Sequence, residues 1–169
     1  MEFKLVSGSV CIHDVSDFLQ ELRSISSAHG ITIQAMDADR VAGENHVRFA
    51  VHKALRAKES NCCIARDMGI EIMRYASGKR QIEEAFSMGL REGRMNVVFV
   101  LLSESGDFDL SSQALEQIVE ERSVVEYGEH KKTYLIEQFS ITDKELQAAG
   151  EELLPLLVLE RVALVDVLK

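Results

Sequence analysis

Tryptophan is absent from this chain of 169 residues, proline occurs once and cysteine three times. A single proline leaves no proline-rich linker, and no repeat or low-complexity stretch stands in for one. The cysteines are Cys11 and the adjacent pair Cys62 and Cys63. An odd count with one vicinal pair is no disulfide framework and fits a reducing compartment. Long apolar runs are missing too. The longest, residues 153–159, is stopped by Glu160 and Arg161, well short of the roughly 20 residues of a membrane span. No N-terminal stretch has the basic, apolar, small-residue order of a signal peptide. The expectation is a soluble, cytoplasmic protein of one domain, residues 1–169, large enough to bury a real core. The five histidines show no zinc-finger spacing with the cysteines, so no metal is expected.

Catalytic motifs are also missing. There is no P-loop, no GxGxxG ahead of a helix, no GxSxG and no kinase motif set. Glu83 and Glu84 are adjacent, so on a helix they point about 100° apart and form no acid–base dyad. These absences favour a binding or regulatory protein over an enzyme. The rival is a small thiol enzyme using Cys62 or Cys63, which would need a depressed thiol pKa.

Charge is what the chain has in excess. The formal net charge is −9, which argues against general nucleic-acid affinity. Yet residues 40–94 carry 11 Lys and Arg against 7 Asp and Glu, a local net of +4, while the remainder carries 8 against 21, a net of −13. This asymmetry predicts one basic face on an acidic body, suited to one defined RNA element.

Apolar periodicity predicts strands over residues 3–12, 31–35 and 96–102, the last a continuous run buried on both faces. Helices are predicted over 14–28, 44–58 and 112–122, and from a capping box at Thr142 and Glu145. The helix over 44–58 sets Arg48, His52 and Arg56 along one face, read as a solvated stripe. Residues 134–139 fit helix or strand. The C-terminal region reads as helix and then, over 163–168, as strand. The fold class is α/β: a small mixed sheet packed with several helices.

The segment 71–86 is the most informative. It reads as a helix, a tight break at Ser77-Gly78, and a second helix opening with Lys79 and Arg80. A helix N-terminus favours acidic residues, so two cations there would add to its field and make an anion site with the free N–H groups. The other reading pairs Lys79 with Glu83 and Arg80 with Glu84 on a solvated helix, each worth about 0.2–0.5 kcal/mol.

Three blocks carry a family resemblance. The stretch Ala76-Ser-Gly-Lys-Arg-Gln-Ile-Glu-Glu-Ala85 resembles the signature of the small accessory subunit of the KEOPS complex, the p53-related-kinase-binding protein (TPRKB) family. Asp39-Arg-Val-Ala-Gly-Glu-Asn-His-Val47 and Leu159-Glu-Arg-Val-Ala-Leu-Val-Asp166 are similar to its helix-opening and C-terminal blocks, and the details look most like an archaeal member. Met68-Gly69 departs from the bulky residues found there in the family.

The resemblance implies an α/β fold without catalysis or cofactor. It also implies a subunit that binds and stimulates the small kinase-like ATPase of KEOPS, and reaches the other subunits indirectly. It further implies that the chain grips the single-stranded CCA end of tRNA during threonylcarbamoyl modification of adenosine. The residues expected on tRNA are Lys79, Arg80, Gln81 and His46, with Arg66 and Arg74 further candidates. Tyr75 is read either as a stacking platform or as core. On the kinase-like partner, Phe86, Leu90, Leu153 and Leu157 are expected. A scaffold without RNA contact is the remaining alternative.

Overall fold

The structure, a computed structural model, describes residues 1–167. In chain order its elements are β1 (Glu2–Ile12), α1 (Val15–His29), β2 (Thr32–Asp37), α2 (Glu44–Glu59), α3 (Met68–Ala76), α4 (Ile82–Ala85) and β3 (Gly93–Ser103). There follow α5 (Asp109–Glu116), β4 (Glu120–Glu121), α6 (Lys132–Phe139), α7 (Asp143–Ala149) and α8 (Leu154–Leu164). The fold is α/β, and the chain divides into two compact units. One comprises Met1–Ala38 and Gly89–Val124; the other comprises Asp39–Met88 and the chain from Val125 onward.

The first unit holds the sheet, in the order β2-β3-β1-β4. Every pairing is antiparallel, from Glu2↔Ser103 to Ile12↔Gly93 and from Thr32↔Leu102 to Asp37↔Val97, so the sheet is not mixed. The reason is topological. α1 joins β1 to β2, which run the same way, but β3 lies between them and opposes both. α1 is bounded as its sequence predicts: the Asp14 side chain accepts from the Asp17 N–H at 2.9 Å, and Gly30 closes it at φ +62°. Leu22 of α1 and Leu115 of α5 pack with Val97, Phe99 and Leu101 of β3. Val98 and Val100 on its other face are also fully buried, matching the continuous apolar run.

The predicted helix over 112–122 instead runs Asp109–Glu116, and Glu120–Glu121 turns into the short β4 beside Gly8 and Ser9. A Cβ at Gly8 would lie 2.3 Å from the Glu120 carbonyl oxygen, so that glycine permits the close approach.

The second unit is helical. α2 buries Val47, Ala50, Val51 and Ala54 completely. Residues 134–139 resolve as helix in α6, which ends at Ser140 in the left-handed conformation, φ +51°. Leu135 and Phe139 of α6 pack with Ile141, Leu146, Leu154 and Val158. The capping box at Thr142 and Glu145 is present at the start of α7. The strand expected over 163–168 does not form: α8 runs to Leu164 and turns through Val167, and Leu168 lies outside the described residues. The apolar run has a helical period as well. Leu154, Val158, Val162 and Val165 recur at intervals of four and three, and all are fully buried.

The ammonium of Lys131, also buried, donates to the carbonyls of Val41 at 3.1 Å and Val125 at 2.8 Å, tying two loops of this unit together. No helix among the described residues is long and apolar enough to cross a membrane.

Candidate functional site

The segment 71–86 lies in the second unit, and its buried charges shape what surrounds it. Glu71 and Arg74 are three apart on α3 and both are buried. Arg74 donates from Nη2 to Glu71 Oε1 at 2.7 Å and from Nε to Oε2 at 3.2 Å. Glu71 Oε2 also accepts from the Ala65 N–H at 2.8 Å, which pins the loop between α2 and α3. The third guanidinium nitrogen, Arg74 Nη1, is buried and finds no hydrogen-bond partner among the described residues, so the bidentate bond to Glu71 carries the pair. Burial works against the Arg74 charge, and the bonds from Glu71 outweigh it, so its pKa rises.

The Arg74 guanidinium lies 4.2 Å over the centre of the Tyr75 ring. Tyr75 is buried too, and its hydroxyl donates to Asp166 Oδ1 at 2.7 Å. Burial, then this hydrogen bond, pushes the phenol pKa up. The Lys53 ammonium stands 2.7 Å from Asp166 Oδ2, and Arg74 Nη2 is 3.7 Å from Oδ1. Burial raises the Asp166 carboxyl. The hydrogen bonds of Lys53 and Tyr75, with the charges of Lys53 and Arg74, outweigh that and hold it below its ordinary value.

Above this network opens a cleft of about 460 Å³ whose polar lining is Lys53, Arg56, Ser60, Tyr75, Arg80 and Asp166. Among the described residues three cations and one carboxylate line it, a positive balance in a chain of net charge −9. Such a wall concentrates anions.

The break at Ser77-Gly78 is real. Ser77 Oγ donates to the Arg74 carbonyl at 2.8 Å and accepts from the Lys79 N–H at 3.2 Å. Gly78 has φ +67°, and a Cβ there would lie 2.9 Å from Phe139. The second helix is not as expected. α4 begins at Ile82 after an extended Gln81, and only four residues are helical before a 3₁₀ turn over Phe86–Met88. Lys79 and Arg80 therefore precede the helix, and Glu83 and Glu84 occupy its first turn, as the dipole favours. The anion site inferred from the helix N-terminus is absent. Positive potential comes instead from Arg80 standing beside Lys53 and Arg56 of α2.

The remaining expected RNA contacts separate by burial. Arg80, Gln81 and Arg66 are exposed and Lys79 is half-buried. Of these only Arg80 lines the cleft; Arg66 precedes Asp67, the N-cap of α3. His46 is 1% exposed, and both its ring nitrogens are engaged. Nδ1 accepts from the Ala42 N–H at 3.1 Å, so Nε2 carries the proton and donates to the Ala76 carbonyl at 2.8 Å. Burial lowers its pKa to about 4. With no free nitrogen at the surface, His46 braces the start of α2 against the end of α3 and reaches no external base. Arg74 is engaged in the same inward way, and Tyr75 is core, its ring covered by Arg74. Sequence reasoning missed Lys53 and Asp166. Arg56 was visible only as part of the solvated stripe. Asp166, at the end of the C-terminal block, was the one available signal.

The apolar residues divide as well. Phe86 is 53% exposed. Leu90 belongs to the first unit and packs against its core. Leu153 is exposed, Leu157 packs against the Leu135–Phe139 core, and Leu156, not singled out before, is 57% exposed. Leu154 and Val158 of α8 face inward while Leu156 points outward, and Leu153, which ends the 3₁₀ turn just before α8, is exposed as well. Leu156 also walls a groove of about 490 Å³ with Pro155, Leu159, Tyr127, Glu44 and Glu126.

Burial, then the charge of Glu71, raises the pKa of Cys63, and the Cys62 thiol donates to the Ser60 carbonyl at 3.2 Å. Among the described residues no three His, Cys, Asp or Glu side chains are grouped to hold a metal ion.

A helical unit with outward apolar side chains and a basic cleft has the parts of a binding protein. Residues 12–166 match the family described as Kinase binding protein CGI-121, and the chain belongs to that family. It is 30% identical over 141 residues to the regulatory protein Cgi121 of Methanocaldococcus jannaschii, covering 83% of this chain and 87% of that one.

Proposed function

We propose that this chain is the non-catalytic, kinase-binding subunit of a KEOPS complex, and that it holds the single-stranded CCA end of tRNA. Membership of a kinase-binding family supports the kinase-like ATPase as direct partner, with the other KEOPS subunits reached through it. The partner surface in this reading is the exposed Leu153 and Leu156 at the start of α8, with Phe86. The observation that carries the RNA reading is the cleft in which Arg80, Lys53 and Arg56 converge on an acidic protein. Phosphates would be met by Arg80 and Lys79, with Gln81 and Arg66 beside them, while His46 and Arg74 serve from within as braces. A tail of unpaired nucleotides suits a basic groove better than a duplex does. No cofactor is required, and the stimulation of the ATPase follows from docking.

The test compares Arg80→Glu with the parent chain, against intact tRNA and tRNA lacking its CCA end. Reversing one phosphate contact is expected to weaken binding of intact tRNA about tenfold or more and to lower the salt slope by about one. The parent should lose the same preference when the tail is removed. Unchanged affinity in the variant, with equal binding of both tRNAs, would leave the scaffold reading in its place.

A further inference from the structure

Asp166 stands where a ligand for the cleft would stand. Its Oδ2 meets the Lys53 ammonium at 2.7 Å and its Oδ1 the Tyr75 hydroxyl at 2.7 Å, with the Arg74 guanidinium 3.7 Å away. Two oxygens of one negative group, bound by a lysine and a phenol beside two further arginines, is the arrangement a phosphate ester would adopt. The carboxylate comes from the turn that follows α8. After α8 the described chain is a turn whose backbone bonds are Val165 N–H to the Val162 carbonyl at 3.5 Å and Val167 N–H to the Leu164 carbonyl at 2.9 Å. Val165 is buried, but Asp166 and Val167 are exposed. Lys53 also reaches the Ala163 carbonyl at 3.5 Å, so the same ammonium holds the end of α8.

We propose that the cleft is a phosphate-ester site occupied in the free protein by its own Asp166, and that ligand binding displaces this carboxylate and loosens the exposed end of the turn at Asp166 and Val167, beyond the buried Val165. That the ester belongs to a nucleic-acid end rests on the function proposed above; the latch itself does not. The exchange is one anion for another on the same donors. Affinity for the ligand is then set by how often the latch is open. A latch closed about nine-tenths of the time weakens the ligand about tenfold. It also makes the site selective: a monoanion of ordinary strength gains nothing over Asp166, whereas a phosphate ester flanked by a second phosphate also meets Arg56, which lines the same cleft.

The test titrates inorganic pyrophosphate, and separately an oligoribonucleotide ending in CCA, into the full chain, Asp166→Asn and Glu160→Gln. Glu160 is an exposed acid of α8 that does not line the cleft, so its variant reports the effect of one lost charge. Asp166→Asn is expected to bind both probes about tenfold more tightly and Glu160→Gln to stay within about twofold of the parent. A second measurement uses the unaltered chain: saturating pyrophosphate is expected to accelerate amide exchange at Asp166 and Val167. Equal gains in the two variants, weaker binding by Asp166→Asn, no pyrophosphate binding by any of the three, or unchanged or slowed exchange would overturn the latch. If pyrophosphate behaves as expected while the oligoribonucleotide does not bind, the latch stands and the tRNA reading falls.

Discussion

His46 shows how one buried side chain ties stability to pH. Its neutral ring accepts from Ala42 and donates to Ala76, so a second proton would set Nδ1–H against the Ala42 N–H. Burial is the largest influence on its pKa, and the nearby Lys131 charge acts in the same direction. The folded pKa is about 4 against 6.5 unperturbed. The unfolded chain therefore binds a proton first as pH falls, and His46 favours folding fully above pH 6.5. That stability drains away as pH drops towards about 4 and falls no further below it. Between pH 7.5 and 5 the loss should be about 2 kcal/mol in urea unfolding, and His46→Gln should flatten this slope. An unchanged slope in the variant would assign the pH dependence to other groups. Nothing in the residue's own neighbourhood along the chain announces this role. A histidine two residues into a helix looks solvent-facing until the end of α3 covers it.

At the scale of elements, the join between α3 and α4 deserves the sharpest test. Gly78 → Ala places an L side chain at φ +67°, worth about 1–2 kcal/mol, and brings its Cβ 2.9 Å from Phe139. Thermal unfolding should shift down accordingly. Arg80, two residues on, should lose its place in the cleft, which the tRNA titration would register. A variant with unaltered melting would show that the turn relaxes without cost. Much at this scale was legible beforehand because it is local. Asp14, Gly30, Thr142 with Glu145, and the break at Ser77-Gly78 act on backbone groups within a few residues. Two expectations failed because their patterns were degenerate. The apolar run after Leu153 satisfies a helix and a strand alike, and burial of Val162 and Val165 decided for helix. The apparent breach of the dipole rule at Lys79 and Arg80 vanished once α4 was seen to begin at Ile82.

At the scale of the whole molecule, two features of opposite character lie on the second unit: a basic cleft, and the exposed apolar side chains Leu153 and Leu156 at the start of α8. Leu156→Glu should leave the fold intact, since the side chain is 57% exposed, yet weaken binding of the kinase-like partner. A central apolar anchor is worth about 2 kcal/mol or more, roughly thirtyfold in affinity. Calorimetric titration against that partner checks it, and undiminished binding would move the interface elsewhere. Leu157→Ala should do the reverse, lowering stability because Leu157 packs on the Leu135–Phe139 core. The net charge of −9 bears on this division of labour. It discourages indiscriminate nucleic-acid binding and leaves the cleft as a local exception.

The sequence by itself determined the family, through blocks at residues 39–47, 76–85 and 159–166, together with most helices, three of the strands and their caps. Those features depend on periodicity and on bonds that close within a turn or two. Only the tertiary structure decided which charges line the cleft and which are sealed inside. Lys53, Arg56, Arg80 and Asp166 come from α2, the loop before α4 and the C-terminal turn, and meet in one cleft. Arg74 and His46, which look equally suitable on paper, are sealed inside by Glu71, Tyr75 and the end of α3. Desolvation is set by what packs against a side chain from far along the chain, and no local pattern carries that information.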